Sequence, residues 1–189
     1  VEALEALDVL GLSITAPLKE SLPGALGLAG PLNTLWRRSP GDPWQCANTD
    51  AEAFGQFLSS LPPGPVLVLG EGGVARTSVS VLAAAGRQVL QAGRRSQVSA
   101  GAVAALAPVG VVQGTSLGMN PGDPPPFLEL LEAARPGLRW AVEWIYKEET
   151  AFAAWAREAR LLLVEGAALF EAQAQAQSRR FIEGCGGAV

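Results

Sequence analysis

The chain has 189 residues, 49% hydrophobic and 17% charged, which fits one good core or two small ones and excludes a disordered or fibrous protein. A net charge of -4 and a pI near 4.9 supply no general basic field for nucleic acid or an anionic membrane. Histidine is absent, so His-based general catalysis, Ser-His triads and most zinc sites are excluded, and acid or base work falls to Lys, Asp, Glu, Tyr or Cys. Cys46 and Cys185 lack metal-ligand spacing and read as ordinary thiols, so no metal is expected. No run of about 18 uninterrupted apolar residues and no charged-then-apolar leader is present, so neither a membrane span nor a signal peptide is expected, and the cytoplasm is the default location.

In chain order, short strands are expected around Leu12 to Thr15 and Asn33 to Trp36, followed by a polar turn at Ser39 to Pro43 and an extended piece to Asn48. A helix should run from Asp50 to Leu61. The stretch Leu61-Pro-Pro-Gly-Pro65 ends it, because three prolines and a glycine cannot continue a helix. Beyond it β and α patterns alternate, with strands near 66–69, 87–91, 109–113, 138–143 and 161–164. Helices fill the gaps at about 74–85, 96–107, 127–134 and 149–159. That alternation predicts an α/β fold with a doubly wound parallel sheet. A last helix, from Gly166 to about Glu183, is Ala- and Gln-rich with few charges, which suits packing against another lobe. Three segments follow: residues 1–61 as a partial α/β lobe, 62–165 as a Rossmann-like domain, and 166–189 as a helix returning to complete the first lobe.

The apolar run Val66 to Leu69 enters Gly70-Glu-Gly-Gly73 and then a small-residue helix. Gly70, Gly72 and Gly73 remove Cβ atoms that would block a pyrophosphate, and the helix that starts with Val74 and Ala75 points its first amides at the phosphates. Taken alone, the pattern GxGGxA also fits a strand-to-helix turn without a ligand. The second strand of this βαβ unit ends in Gly93-Arg-Arg-Ser96, where an adenosine ribose would lie. NAD sites tend to carry an acidic residue there, whereas the guanidiniums of Arg94 and Arg95 with the Ser96 hydroxyl suit a 2′-phosphate. The implied cofactor is NADP.

Chemistry without histidine has a candidate pair in the first lobe. Thr15-Ala-Pro-Leu-Lys19 places a lysine after a proline-stiffened turn, and Asn48-Thr-Asp50 places a carboxylate at a helix N-cap. An ammonium can protonate a forming alkoxide while a carboxylate holds the lysine and orients a substrate hydroxyl. The same residues also fit a surface lysine and an ordinary capping aspartate.

Gly11-Leu-Ser-Ile-Thr-Ala-Pro-Leu-Lys19, Ala29-Gly-Pro-Leu-Asn-Thr34, Ala47-Asn-Thr-Asp50, the glycine turn with Arg94, Thr115-Ser-Leu-Gly-Met119 and the Gly166 to Gln173 segment follow one another in the order of a known set of motifs. In these residues the chain resembles the shikimate dehydrogenase family over nearly its whole length. The resemblance implies reversible hydride transfer between NADPH and the C3 carbonyl of 3-dehydroshikimate, in the chorismate pathway of aromatic amino-acid biosynthesis. It implies Lys19 as acid/base, Asp50 as its partner, and Thr15, Asn33, Gln173 and Tyr146 as substrate ligands. Asn48 and Thr49 would shape the same wall, and Thr115, Ser116, Leu117, Gly118 and Met119 would lie on the nicotinamide side. Quinate or aminoshikimate dehydrogenase shares these motifs, and a non-catalytic domain binding the cofactor or metabolite is the alternative of another class. A small-molecule substrate is expected; a homodimer or partner domains in cis stay open.

The chain also departs from the family. Ser13 replaces an Asn, Glu71 sits in the glycine turn where Ala is usual, Glu143 replaces an Asp, and the loop after Tyr146 is one residue short and lacks its proline. A strand-helix-strand with a Ser-x-Ser motif, which grips the substrate carboxylate in the family, has no counterpart among these residues. The expectation is a sheet edge in the substrate lobe that is unpaired or pairs with another chain, and a chain that by itself binds NADP but oxidises little or no shikimate.

Overall fold

A computed structural model describes residues 4, 6–15, 18–25, 27, 31–146 and 149–184. Ala16 and Pro17 of the stiffened turn, Ala29 and Gly30 of the second motif, and Cys185 lie outside the described residues. The chain divides into two compact units, residues 1–53 with 171–189 and residues 54–170.

The second unit is built on a five-stranded parallel sheet in the order β5-β4-β6-β7-β8. Its strands are β4 (Val66–Leu69), β5 (Val89–Ala92), β6 (Gly110–Gln113), β7 (Trp140–Glu143) and β8 (Leu162–Val164). Strands of this kind are apolar on both sides because helices cover both faces. Side chains alternate along β4, so Leu67 and Leu69 join Val111 and Ala141 on one face, under Val103, Leu131, Phe152 and Ala156. These four come from α4 (Ala100–Leu106), α5 (Leu128–Ala134) and α6 (Ala151–Glu158). Val66 and Val68 join Val112 and Val142 on the other face, under Phe54, Leu58, Ala75, Leu82 and Leu169. Those belong to α2 (Thr49–Leu58), α3 (Gly73–Ala84) and the start of α7 (Gly166–Gly184). The proline-rich link is fastened to this core, since the Arg87 guanidinium donates to the carbonyls of Leu61 and Pro62 and the Trp140 indole donates to Pro62.

The strand order reverses at β4, with β5 on one side and β6 on the other. In open α/β sheets that reversal leaves a crevice outside the carboxyl ends of the strands, which is where ligands bind. Gly70 and Gly114 stand at those two strand ends.

The first unit holds a three-stranded antiparallel sheet of β1 (Gly11–Ser13), β2 (Thr34–Trp36) and β3 (Gln45–Ala47), with β2 in the middle. Among the described residues β1 and β3 each pair on one side only. The α7 segment from Glu171 onward belongs to this unit. The Phe181 ring fills the space above Gly11, and the Arg180 guanidinium lies over the Trp36 ring and pairs with Glu52 at 2.8 Å. A helix at Leu18–Ala25, α1, was not among the expected elements. No helix among the described residues is long and apolar enough to cross a membrane.

Candidate active site

Lys19, on the second position of α1, donates through Nζ to Oδ2 of Asp50 at 2.6 Å. The pair spans 31 residues, and both side chains are mostly buried, with 22% and 10% of their surface exposed. Asp50 does not cap its helix, contrary to the sequence expectation. α2 begins at Thr49, and the Asn48 side chain accepts from the Ala51 amide at 3.1 Å, so the capping role falls to the asparagine and the aspartate faces Lys19.

A polar network lies in the same unit. Asn33 is 3% exposed, and its Oδ1 accepts from the Thr49 amide at 2.8 Å and from the hydroxyls of Thr34 and Thr49 at 3.0 and 3.1 Å. The Thr49 amide and the Thr34 hydroxyl suffice to occupy both lone pairs of that oxygen, which leaves the amide nitrogen of Asn33 as the group able to serve a ligand. The Thr49 hydroxyl lies equally close to Oε1 of Gln173, at 3.2 Å, and its one proton serves either acceptor. Gln177, which the sequence reading missed, donates to the Thr34 hydroxyl at 2.9 Å and to the Asn33 carbonyl at 3.2 Å. One helical turn separates Gln173 from Gln177, so a single face of α7 serves the whole network. Thr15 stands exposed after β1, and its carbonyl accepts from the Leu18 amide at the start of α1.

In the second unit the three turn glycines divide into two kinds. Gly70 has a φ of +114°, and a Cβ there would stand 2.6 Å from the Gly114 carbonyl oxygen, so this glycine is required by the meeting of two backbones. At Gly72 and Gly73 a Cβ would meet nothing within 4 Å. Gly72 caps α3 with no side-chain hydrogen bond, so the first amides of α3, at the half-buried Gly73 and Val74 and the fully buried Ala75, have no side-chain cap. Open room above uncapped amides at a helix N-terminus suits an anion. On the far side, Gly114 approaches the Ala75 backbone closely enough that a Cβ would lie 3.0 Å from its Cα.

The turn after β5 is closed by Ser96, whose hydroxyl accepts from the Gly93 amide at 2.6 Å. Its oxygen is thereby engaged within the turn, while Arg94 and Arg95 are exposed and make no ion pair among the described residues. The Thr115 to Met119 loop is braced from beneath by the fully buried Gln113, which donates to the Leu117 carbonyl at 2.7 Å and accepts from the Thr115 amide at 2.8 Å. Asp123 accepts from the Gly118 and Asn120 amides, and those donors hold its carboxyl below the usual aspartate range. Leu117 and Met119 are left projecting from the loop with exposed side chains.

Tyr146, in this second unit, is half exposed and stacks on Phe170 with ring centroids 4.5 Å apart. A cavity of about 420 Å³ opens beside it. Among the described residues Glu143, Glu149, Glu165 and the Arg157 guanidinium form its charged lining. Glu143 is 2% exposed; its carboxylate accepts from the Thr150 hydroxyl at 2.5 Å and from the Ile145 amide at 3.0 Å, tying the end of β7 to the N-cap of α6. Burial pushes its carboxyl above the usual glutamate range, against the pull of the Thr150 and backbone hydrogen bonds. The folded protein then binds a proton at Glu143 more tightly than the unfolded chain does. That contribution to stability is complete below the ordinary glutamate value and is lost as pH rises through the raised one. Glu143→Gln, which keeps the shape and one of the two acceptors and does not titrate, should flatten this decline; urea midpoints from about pH 4 to pH 8 would check it.

No family model matches the chain. It is 30% identical over 200 aligned positions, covering 88% of this chain and 69% of the relative, to a shikimate dehydrogenase (NADP(+)) of an Anaeromyxobacter species. The crystal structure of shikimate 5-dehydrogenase from Thermus thermophilus, in complex with NADP(H) and shikimate, superposes with a TM-score of 0.76 at 24% identity, covering 96% of this chain and 76% of that one. Quinate dehydrogenase from Corynebacterium glutamicum, in complex with NAD, superposes with a TM-score of 0.69 at 22% identity and the same coverage. The two structures carry the fold, an α/β architecture with a Rossmann-like parallel sheet, and the sequence relative carries the kinship. Motif order, sheet order and this relative together place the chain in the shikimate dehydrogenase family.

Proposed function

We propose that the protein interconverts 3-dehydroshikimate and shikimate with NADP, using Lys19 as the acid/base and Asp50 as its partner. The observation that carries this reading is the 2.6 Å pairing of Lys19 with Asp50, in the same unit as the network of Asn33, Thr49 and Gln173. In this reading residues 54–170 are the dinucleotide unit and residues 1–53 with 171–189 the substrate unit, because Phe54, Leu58, Leu61 and Leu169 pack against the parallel sheet.

Each residue has a chemical task. The Lys19 ammonium protonates the C3 oxygen as the carbonyl becomes an alcohol, and the neutral amine takes that proton back in the reverse direction. Asp50 holds the ammonium in place and accepts a hydrogen bond from the neighbouring ring hydroxyl. The amide nitrogens of Asn33 and Gln173 donate to ring oxygens, with Thr15 and Tyr146 as further ligands. A small polyol acid needs several convergent polar groups of this kind.

The dinucleotide fits the residues present. The open space above Gly72 and Gly73 admits a pyrophosphate, and the amides of Gly73, Val74 and Ala75 would hold it. Arg94 and Arg95 would meet the 2′-phosphate, with Ser96 shaping the turn that presents them. Thr115, Ser116, Leu117 and Met119 would line the nicotinamide side on the loop braced by Gln113. When bound, the reduced nicotinamide supplies the hydride for the ketone carbon.

The direct test compares oxidation of shikimate and of quinate by the full-length protein, each with NADP and with NAD. Preferential turnover of shikimate with NADP is expected. Preference for quinate would move the reading to the related activity, and turnover of neither would refute it. The 2′-phosphate assignment has its own test: Arg94→Ala should weaken NADP by about 10- to 100-fold, the loss of a charge-assisted contact, and leave NAD within about twofold. Calorimetric titration of both cofactors would check it.

A further inference from the structure

We propose that Glu71 sets the balance between the two nicotinamide dinucleotides by placing a carboxylate in the subsite for the adenosine ribose, so that NAD is accepted beside NADP. The inference rests on the dinucleotide reading above and concerns only how that site discriminates. Glu71 follows Gly70 directly at the end of β4, and the Arg76 guanidinium donates to its carbonyl at 2.9 Å. Its side chain crosses to the next turn. The Arg95 amide donates to Oε2 at 3.3 Å, and a Cβ at Gly93 would collide with Glu71 Cγ and Cδ. The carboxylate therefore rests on Gly93, at the carboxyl end of β5.

In a βαβ dinucleotide unit the end of the second strand is where an acidic side chain accepts from the ribose 2′-hydroxyl, or where an arginine meets the 2′-phosphate. Here both chemistries occupy one place. The strand end itself carries Gly93, Arg94 and Arg95, and the acid arrives from the glycine turn instead. The missing Cβ of Gly93 gives it room to do so. A carboxylate there accepts from the free hydroxyls of NAD and repels the phosphate of NADP, while the two exposed guanidiniums attract that phosphate. The opposing charges narrow a preference that Arg94 and Arg95 alone would make wide.

The test is a calorimetric titration of NADP and NAD into the unmodified protein, Glu71→Gln and Glu71→Ala. Glu71→Gln keeps the length and the acceptor for the Arg95 amide while removing the charge. Each variant is expected to bind NADP about tenfold more tightly, with the gain shrinking at high salt, and NAD several-fold more weakly. An unchanged ratio of the two affinities in both variants would overturn the role of Glu71 and leave the dinucleotide reading intact. Failure of the unmodified protein to bind either dinucleotide would overturn both.

Discussion

Lys19→Ala in the full-length protein should lower kcat by about 10²- to 10⁴-fold with a much smaller change in KM, the range expected for loss of a positioned proton donor. The asymmetry is the informative part. Lys19 is held by Asp50 at 2.6 Å, so in the proposed reading its charge is fixed in advance of the alkoxide that it would stabilise. Stabilisation of that kind is worth most in the transition state. Steady-state kinetics with shikimate and NADP would check it, and a kcat within a few-fold of the unmodified protein would remove Lys19 from the role. Tyr146 would then become the next proton donor to examine.

The second large effect separates folding from binding at two neighbouring glycines. Gly70→Ala forces a Cβ onto a residue with φ +114° and sets it 2.6 Å from the Gly114 oxygen and 3.1 Å from the Thr115 nitrogen. Both obstacles are backbone, held by parallel pairing of β4 with β6, and neither can swing aside. The conformational penalty of about 1 to 2 kcal/mol adds to an overpacking cost of about 1 to 3 kcal/mol. For a chain of this size that lowers the melting temperature by about 5 to 15 °C. Gly72→Val should leave the melting temperature within about 2 °C, because a Cβ there meets nothing, and should weaken NADP and NAD alike. Thermal denaturation of the two variants, followed by cofactor titration of the second, distinguishes them. Equal destabilisation by both would show that the two glycines share one structural role.

Much of the parallel sheet was legible in the residues because apolar runs such as Val66 to Leu69 are bounded by glycine and proline. All five strands appear in the expected chain order, and the structure supplies their spatial order, β5-β4-β6-β7-β8. Boundaries shifted where side chains make local bonds. A helix expected from residue 96 starts at Ala100, since Ser96 closes the preceding turn and Ser99 caps the helix by accepting from the Ala102 amide. The helix Leu18–Ala25 escaped notice because Pro23 and Gly24 lie inside it, and both residue types argue against a helix interior.

In the candidate site, Lys19 and Asp50 could be picked out by motif, but their meeting could not, because it depends on how α1 and the first turn of α2 are placed in the first unit. Gln177 left no signal at all. On a helix reading Gln173-Ala-Gln-Ala-Gln177, nothing in the spacing tells a glutamine that braces Thr34 from one that faces water. The destination of the Glu71 side chain was equally hidden, since a charge in a glycine turn can point outward or across.

Asn48 and Asp50, two positions apart, have separate employment: one fastens the start of α2, the other faces Lys19. A lone aspartate capping the helix would have bound the chemistry to the scaffold, so that any retuning of its charge also loosened the helix beneath it. Here the two demands can drift independently. A change at position 50 then acts on the pairing with Lys19 and leaves in place the hydrogen bond that starts α2.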